Sequence, residues 1–328
     1  MAVSNWRTPR PHLLMERDKM NIKCFSGLLL FLVFILGVQS PALAKLKVVT
    51  TTTDLAAIAA EIGKDQVLVE SIAKGYQDPH FVDAKPTYMI KLNQADLLVT
   101  VGLELEVGWL PSLLNGARNP NLLEGRPGNV EGYKGVHLLE IPSSQVDRSL
   151  GDIHPFGNPH YWLDPENGKI IARNISEGLT RVAPGKAGFF KKNLEEFINH
   201  LDQKIREWDQ LMVPYRGVKI VTYHRSWSYF VHHFGLHVVG EVEPLPGIPP
   251  SPSSLARLAD DMVKENIKVI LMEPFYSDNG PEFIARKTGA KVIVLPSSVG
   301  GKEGIKTYSD LFDFDLKRLI EVLQPLRR

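Results

Sequence analysis

A long amphipathic stretch, from Pro184 to about Met212, divides the chain into two series of alternating strands and helices. Its apolar residues recur at helical spacing, which predicts one helix spanning on the order of 40 Å. On each side, short runs rich in Val, Ile and Thr alternate with helix-patterned segments, as is typical of a parallel sheet covered by helices. We therefore predict an α/β fold of two doubly wound lobes joined by one long α-helix.

The predicted lobes cover residues 45–183 and 214–328, with the linking helix at 184–213. A chain of 328 residues is long enough to bury two separate cores. The strands are predicted at 45–52, 67–72, 96–101 and 136–140 in the first lobe, and at 218–223, 236–240, 269–273 and 291–295 in the second. Asp54 is expected to cap the first helix.

The first 44 residues have the pattern of a cleavable secretory signal peptide. Lysines precede an apolar run at residues 28–38, and Ala42 and Ala44 supply the small side chains before a cleavage site. The run is too short to span a membrane comfortably. Residues 1–19 are an upstream extension if translation starts at Met20. We expect the mature protein in the periplasm.

Composition restricts the chemistry of the exported chain. The only cysteine is Cys24, which lies within the signal peptide, so disulfides, thiolate nucleophiles and thiolate metal ligands are excluded. A metal would have to be bound by His, Asp, Glu or water. The 38 basic and 37 acidic residues nearly balance, which argues against a nucleic-acid partner.

Four side chains with metal-binding chemistry follow the carboxyl ends of predicted strands. They are His80, His160, His224 and Glu273. His160 lies in a loop at residues 151–165 that prolines and glycines make unsuitable for a helix interior or a central strand. Ligands of open parallel sheets bind beyond these strand ends. Three imidazoles with at most one oxygen suit zinc.

The chain resembles the substrate-binding proteins of zinc and manganese ABC importers. Three motifs carry the resemblance, which covers essentially the whole mature chain: Asp78-Pro79-His80, His160-Tyr-Trp-Leu-Asp-Pro165 and Thr222-Tyr223-His224. It implies one metal bound between two lobes by His80, His160 and His224, and an ABC permease with its ATPase as partners. His224 is similar to the zinc members, whereas manganese members typically have a carboxylate there. Zn²⁺ is therefore the expected ligand, ahead of Mn²⁺.

The fourth ligand position departs from the family pattern. Members often have an aspartate after the last strand of the C-terminal lobe, where this chain has Ser297, a poor zinc ligand. Water, Glu273 or the Ser297 region could fill the position, and Glu273 could instead hydrogen-bond a ligand. Zinc members also often carry a loop rich in His and acidic residues. In this chain the corresponding segment, residues 113–158, has only two histidines, His137 and His154. His154 is either an auxiliary capture ligand or a stabiliser of its turn.

Other conspicuous side chains are expected to have structural roles. Trp162, Tyr223 and Tyr229 are predicted to line the site and keep it dry, and Asp164 to form a turn or to accept a hydrogen bond from a ligand. The remaining histidines are expected to lie away from the site: His137, His200, His232, His233 and His237.

The sequence thus predicts a monomeric periplasmic binding protein, not an enzyme, that captures zinc and delivers it to a membrane permease. Binding should weaken as the pH falls through the imidazole range, because protons compete for the same nitrogens. The long helix predicts limited hinge opening. The alternatives are a manganese or iron carrier of the same fold, and a zinc hydrolase with a catalytic water at the open position. Against the hydrolase, the chain has no HExxH helix and only Glu273 as an evident general base.

Overall fold

The computed structural model describes residues 44–143, 154–245 and 247–327. The predicted signal peptide, apart from Ala44, lies outside the described residues, and the folded unit begins at Lys45. Within the described ranges, no helix has the length and apolar character needed to cross a membrane.

The first lobe is built on a parallel sheet with the strand order β2-β1-β3-β4. Its elements are β1 (Leu46–Thr50), α1 (Thr53–Gly63), β2 (Val67–Ser71), α2 (Pro86–Gln94), β3 (Leu97–Thr100), α3 (Leu110–Ala117), β4 (Asn129–Glu131) and α4 (Pro165–Val182). All four residues of β3 are buried, as expected for a parallel strand covered on both faces.

Helix α5 (Ala187–Met212) connects the first lobe to the second. Its buried residues recur every three or four positions along one face: Phe190, Asn193, Phe197, Leu201, Ile205, Trp208 and Met212. Asn193 Nδ2 donates to the carbonyl of Ile62 at the end of α1, at 2.9 Å. Trp208 Nε1 donates to Asp313 Oδ1 in the C-terminal helix, at 2.8 Å. The linking helix is therefore attached to both lobes.

The second lobe repeats the topology of the first, with the parallel strand order β6-β5-β7-β8. Its elements are β5 (Lys219–Thr222), α6 (Ser228–Phe234), β6 (His237–Glu241), α7 (Pro252–Lys264), β7 (Val269–Met272), α8 (Asn279–Thr288), β8 (Lys291–Val294) and α9 (Tyr308–Leu323). The predicted fold class, two α/β lobes joined by a long helix, is confirmed.

Polar contacts join the two lobes near the ends of their strands. Trp162 Nε1 donates to the carbonyl of Ser297 at 2.8 Å, and Val299 N donates to Oδ1 of the buried Asp54 at 2.9 Å. Gly75 lies against the same loop, where an added Cβ would come within 2.1 Å of Val299 O. A side chain at this position would therefore force the lobes apart.

Two local predictions for the first lobe are wrong. Residues 136–140 form no strand, because the chain turns after β4 and the backbone of Leu139 forms hydrogen bonds outside the sheet. Leu139 N donates to Tyr229 Oη at 3.0 Å, and its carbonyl accepts from Asn158 N at 2.9 Å. Asp54 does not cap α1, since it lies inside the first turn and its Oδ1 is used by Val299.

Candidate metal centre

His80 ends the turn that follows β2, and Asp78 fixes the orientation of its ring. Asp78 Oδ1 accepts hydrogen bonds from the backbone N–H of His80 at 2.9 Å and from its Nδ1 at 2.7 Å. Trp109 Nε1 donates to the carbonyl of Pro79 at 3.0 Å, which stabilises the turn that presents His80. Because the Nδ1 proton is directed at Asp78, the Nε2 lone pair of His80 is left free for a cation.

His160 begins a short 3-10 turn, Tyr161–Leu163, just before α4. Asn158 Oδ1 accepts from the backbone N–H of His160 at 2.9 Å, while Asn158 Nδ2 donates to the carbonyl of Arg225 in the second lobe at 2.8 Å. The His160 ring is almost fully buried, and its Nε2 has no hydrogen-bond partner among the described residues. An unpaired nitrogen at such depth is costly unless a ligand satisfies it.

His224 lies two residues after β5, and Glu243, two residues after the neighbouring strand β6, fixes its ring. The Nδ1 of His224 lies 2.9 Å from Glu243 Oε2, and the side chains are 5% and 7% exposed. The backbone N–H of Glu243 donates to the carbonyl of Tyr223 at 2.9 Å, which keeps this carboxylate beside the histidine. The free Nε2 of His224 is thereby presented in the same way as that of His80.

These three histidines come together in the cleft between the lobes. One ring nitrogen from each of His80, His160 and His224 lies within 4.8 Å of the other two. The ring centroids are 5.1 Å apart for His80 and His160, 5.5 Å for His80 and His224, and 5.6 Å for His160 and His224. Neutral nitrogens converging at this spacing can bind one divalent cation. The first lobe supplies two of them and the second lobe supplies one.

Burial sets the charge states around the cluster. Burial, with the charge that His80 and His224 would carry, holds the pKa of His160 well below its usual value, so this ring stays neutral. Burial alone would raise the pKa of Asp78, but the hydrogen bond and charge of His80 outweigh it and lower that pKa. Asp78 therefore places an ionised carboxylate beside Nδ1 of His80, on the side of the ring away from the cluster.

Neither Glu273 nor Ser297 joins the histidine cluster through a described contact. Glu273 is 0% exposed, and burial raises the pKa of its carboxyl to about 8, against the lowering effect of the Ser226 side chain. Its carboxylate oxygens do not belong to the set of ligand atoms, from His80, His160 and His224, that lie within 4.8 Å of one another. Ser297 is also buried, and its carbonyl accepts the hydrogen bond of Trp162.

His154 lies at the edge of the cluster, which the sequence left undecided. Its Nε2 is 3.2 Å from Nε2 of His80, and its Nδ1 is 3.1 Å from the carbonyl of Leu103. Burial, with the charge that His80 and His224 would carry, lowers the pKa of His154 to about 3. The ring is therefore neutral across the physiological pH range.

The aromatic residues divide between lining the site and supporting it. The Trp162 ring packs 5.1 Å from that of His160, and Tyr223 stacks at 4.3 Å on Tyr276, which itself lies 6.0 Å from His224. Tyr229 instead supports the loop before His160, since its hydroxyl donates to the carbonyl of Asn158 at 2.9 Å. A cavity of about 820 Å³ beside His80 and His224 gives an ion space to approach.

Glu243 is the residue of the centre that sequence reasoning missed. It follows β6 by two positions, just beyond the strand predicted at 236–240. The signal that could have found it is its position beyond the end of the strand that neighbours β5.

The other histidines lie away from the cluster. His233 Nδ1 is 2.8 Å from Asp164 Oδ1 and its Nε2 is 3.2 Å from Asp209 Oδ1, so it joins α6 to α4 and α5. The same Asp164 oxygen accepts from Glu166 N at 2.9 Å and caps α4. The four other described histidines outside the cluster have exposed side chains: His137, His200, His232 and His237.

Known proteins resemble this chain over most of its length. The family model for zinc-uptake complex component A, periplasmic, matches residues 48–322. The manganese ABC transporter substrate-binding lipoprotein PsaA of Streptococcus anginosus is 27% identical over 291 residues, covering 85% of this chain and 89% of that protein. The metal ABC transporter substrate-binding lipoprotein FimA of Streptococcus parasanguinis is 27% identical over 298 residues, with coverages of 88% and 92%.

Solved structures share the fold. A crystal structure of ZnuA has a TM-score of 0.70 at 23% identity, covering 85% of this chain and 99% of that chain. The periplasmic metal binding protein from Candidatus Liberibacter asiaticus has a TM-score of 0.69 at 25% identity, with coverages of 85% and 100%. The two-lobed architecture described above is therefore shared with these proteins.

Proposed function

The chain belongs to the family of zinc-uptake complex component A, whose members are metal ABC transporter substrate-binding proteins, and on that premise we propose that its cargo is zinc. In this proposal the mature protein is a periplasmic monomer that captures Zn²⁺ and delivers it to an inner-membrane permease driven by an ATPase. Residues 1–44 would direct export and be removed by a signal peptidase.

One observation carries the choice of ion, namely the set of three imidazole nitrogens from His80, His160 and His224. Within the described ranges, no carboxylate oxygen belongs to the same 4.8 Å group. Imidazole suits zinc, whereas manganese favours carboxylate, carbonyl and water oxygens. The named relatives include manganese proteins, and the histidine at position 224 supports a different selectivity for this chain.

The same geometry supports capture by closure of the two lobes. His80 and His160 would hold the ion from the first lobe while His224 binds it from the second. Asp78 and Glu243 keep each Nδ1 proton away from the ion and add negative charge behind the rings. Helix α5, attached to both lobes, would limit opening, so release would require the permease.

The hydrolase alternative requires an open metal position and a general base beside it. Glu273 is the candidate base, but its carboxyl is fully buried and lies outside the histidine group. We therefore propose binding and transport without turnover. A manganese or iron carrier of the same fold remains the alternative that the ion-binding experiment decides.

Competition titration of the metal-free mature protein with zinc and manganese tests the proposal directly. We expect one site that prefers zinc, lost in His224→Ala and unchanged in His200→Ala, which alters an exposed histidine on α5. Tighter manganese binding would overturn the ion assignment. Zinc affinity that survives His224→Ala would overturn the site.

A further inference from the structure

We propose that His154 supplies the fourth ligand of the metal, giving a site of four imidazoles. The proposal rests on the function proposed above and extends it by assigning the coordination position that neither Glu273 nor Ser297 fills. The assignment follows from the contact between His154 and His80 and from the way the loop at Leu103 holds the His154 ring.

The first observation is the contact between two ring nitrogens. The Nε2 atoms of His80 and His154 are 3.2 Å apart. Each ring directs its other nitrogen at an acceptor, since His80 Nδ1 lies 2.7 Å from Asp78 Oδ1 and His154 Nδ1 lies 3.1 Å from the Leu103 carbonyl. These two acceptors hold the Nδ1 side of each ring, so the two Nε2 atoms are directed at each other at a spacing that one cation can bridge.

The second observation is the distance itself. Zinc binds histidine nitrogens at about 2.0–2.1 Å in a tetrahedral arrangement, so two nitrogens on the same ion are about 3.3–3.4 Å apart. The observed separation of 3.2 Å between His80 and His154 matches one edge of that tetrahedron. His154 lies outside the 4.8 Å group, as Glu273 does, but unlike Glu273 it contacts a member of the group, His80. In this proposal its ring pivots about the Nδ1 contact with the Leu103 carbonyl and brings Nε2 onto the ion on loading.

The third observation is the backbone that presents the Leu103 carbonyl. Gly102, Leu103 and Glu104 have φ values of 82°, 55° and 65°, a left-handed run that non-glycine residues seldom adopt. Buried Glu106 stabilises it by accepting from Val101 N at 2.7 Å and Gly102 N at 3.0 Å. Strained backbone held in place by a buried carboxylate is typical of a functional position. Here it holds the His154 ring with Nε2 toward His80.

A fourth imidazole would sharpen both selectivity and function. A site with four nitrogens and no oxygen is poorly suited to manganese and well suited to zinc. It would also occupy the open position that a catalytic water needs in a zinc hydrolase. His154 would thus favour both zinc binding and transport over catalysis.

Zinc K-edge X-ray absorption of the mature protein loaded with one equivalent of zinc counts the imidazoles. We expect four in the unmodified protein and three in His154→Ala, with zinc affinity reduced by about tenfold or more. The matched control is His137→Ala, which removes an exposed histidine from the same part of the chain and should leave both values unchanged.

The measurement on the unmodified protein decides the matter even if His154→Ala folds poorly. Three imidazoles in that spectrum, or a His154→Ala variant with unchanged count and affinity, would overturn the His154 assignment and leave zinc capture standing. A mature protein that binds no zinc would overturn both proposals.

Discussion

The Nδ1 of His224 and the Oε2 of Glu243 are 2.9 Å apart, and both side chains are almost completely buried. The two residues come from neighbouring strand ends, β5 and β6, 19 positions apart in the chain. Glu243 therefore orients His224, which among the described residues of the second lobe is the one histidine in the cluster. Asp78 does the same for His80 from two positions earlier in one turn.

Replacement of Glu243 by glutamine should weaken zinc binding by roughly tenfold or more, because the ring loses the charge that orients it and makes its Nε2 more basic. Isothermal titration against a competing chelator measures the loss. Glu241→Gln is the matched control, since Glu241 ends the same strand but lies 3.9 Å from Arg225 instead of facing the cluster. Equal losses in the two variants would mean that general charge, not ring orientation, sets the affinity.

Exchange of His224 for glutamate should move the ion preference toward manganese. An oxygen donor replaces a nitrogen donor, so the ratio of zinc to manganese affinity should fall by at least about tenfold. Parallel titrations with both ions give that ratio. His232→Glu makes the same charge change at an exposed position on α6 and should leave the ratio unchanged. A ratio that does not move in His224→Glu would mean that His224 does not contact the ion.

The three histidines of the cluster were predictable because topology places strand ends together. His80 and His224 follow β2 and β5, strands of the two separate sheets, and ligands of such sheets bind beyond these strand ends. His160 lies in the loop between β4 and α4, so its predicted place after a strand at 136–140 was wrong although its place in the cluster was predicted. The alternating pattern at 136–140 predicted a strand that the structure does not have. The backbone of Leu139 forms hydrogen bonds with Tyr229 and Asn158 instead of with a neighbouring strand.

Contacts between distant loops could not be predicted from local pattern. Asp54 accepts a hydrogen bond from the backbone N–H of Val299, 245 positions away. Its position before an apolar helical segment had predicted a helix cap. The approach of His154 to His80 depends in the same way on where the Leu103 turn directs its carbonyl. The first pair arises from the packing of the two lobes and the second from loop packing within the first lobe, and no short sequence window contains either pair.

Replacement of Trp162 by phenylalanine should loosen the contact between the lobes. The buried carbonyl of Ser297 loses the hydrogen bond that Trp162 Nε1 donates at 2.8 Å. The hydrogen bond from the Tyr308 hydroxyl to the carbonyl of residue 162 remains. We expect the free energy of unfolding to fall by about 1–3 kcal/mol and amide exchange to quicken around Ser297.

The control for this variant lies within one lobe. Trp109→Phe removes a similar buried indole donor, whose acceptor is the carbonyl of Pro79 at 3.0 Å. It should cost similar stability without faster exchange near Ser297. If both variants change exchange alike, Trp162 has no special part in holding the lobes together.

Replacement of Asp54 by asparagine should make the protein less sensitive to pH. Burial raises the pKa of Asp54 to about 7, against hydrogen bonds from Val299 and Ser298, whereas in the unfolded chain the carboxyl ionises near 3.8. Between these values the folded state holds a proton that the unfolded state has lost. The stability of the unmodified protein therefore falls as the pH rises, by roughly 1.4 kcal/mol per pH unit from this group.

Asparagine keeps the oxygen that accepts from Val299 and cannot ionise, so the variant should gain stability over the unmodified protein from about pH 4 to pH 7 and no further above it. Urea unfolding at pH 5, 6, 7 and 8 (roughly the window set by the two pKa values) measures the difference. Asp65→Asn, at an exposed position after α1, should show a constant difference. A difference for Asp54→Asn that stays flat across this range would mean that Asp54 ionises in the folded protein as it does in the unfolded chain.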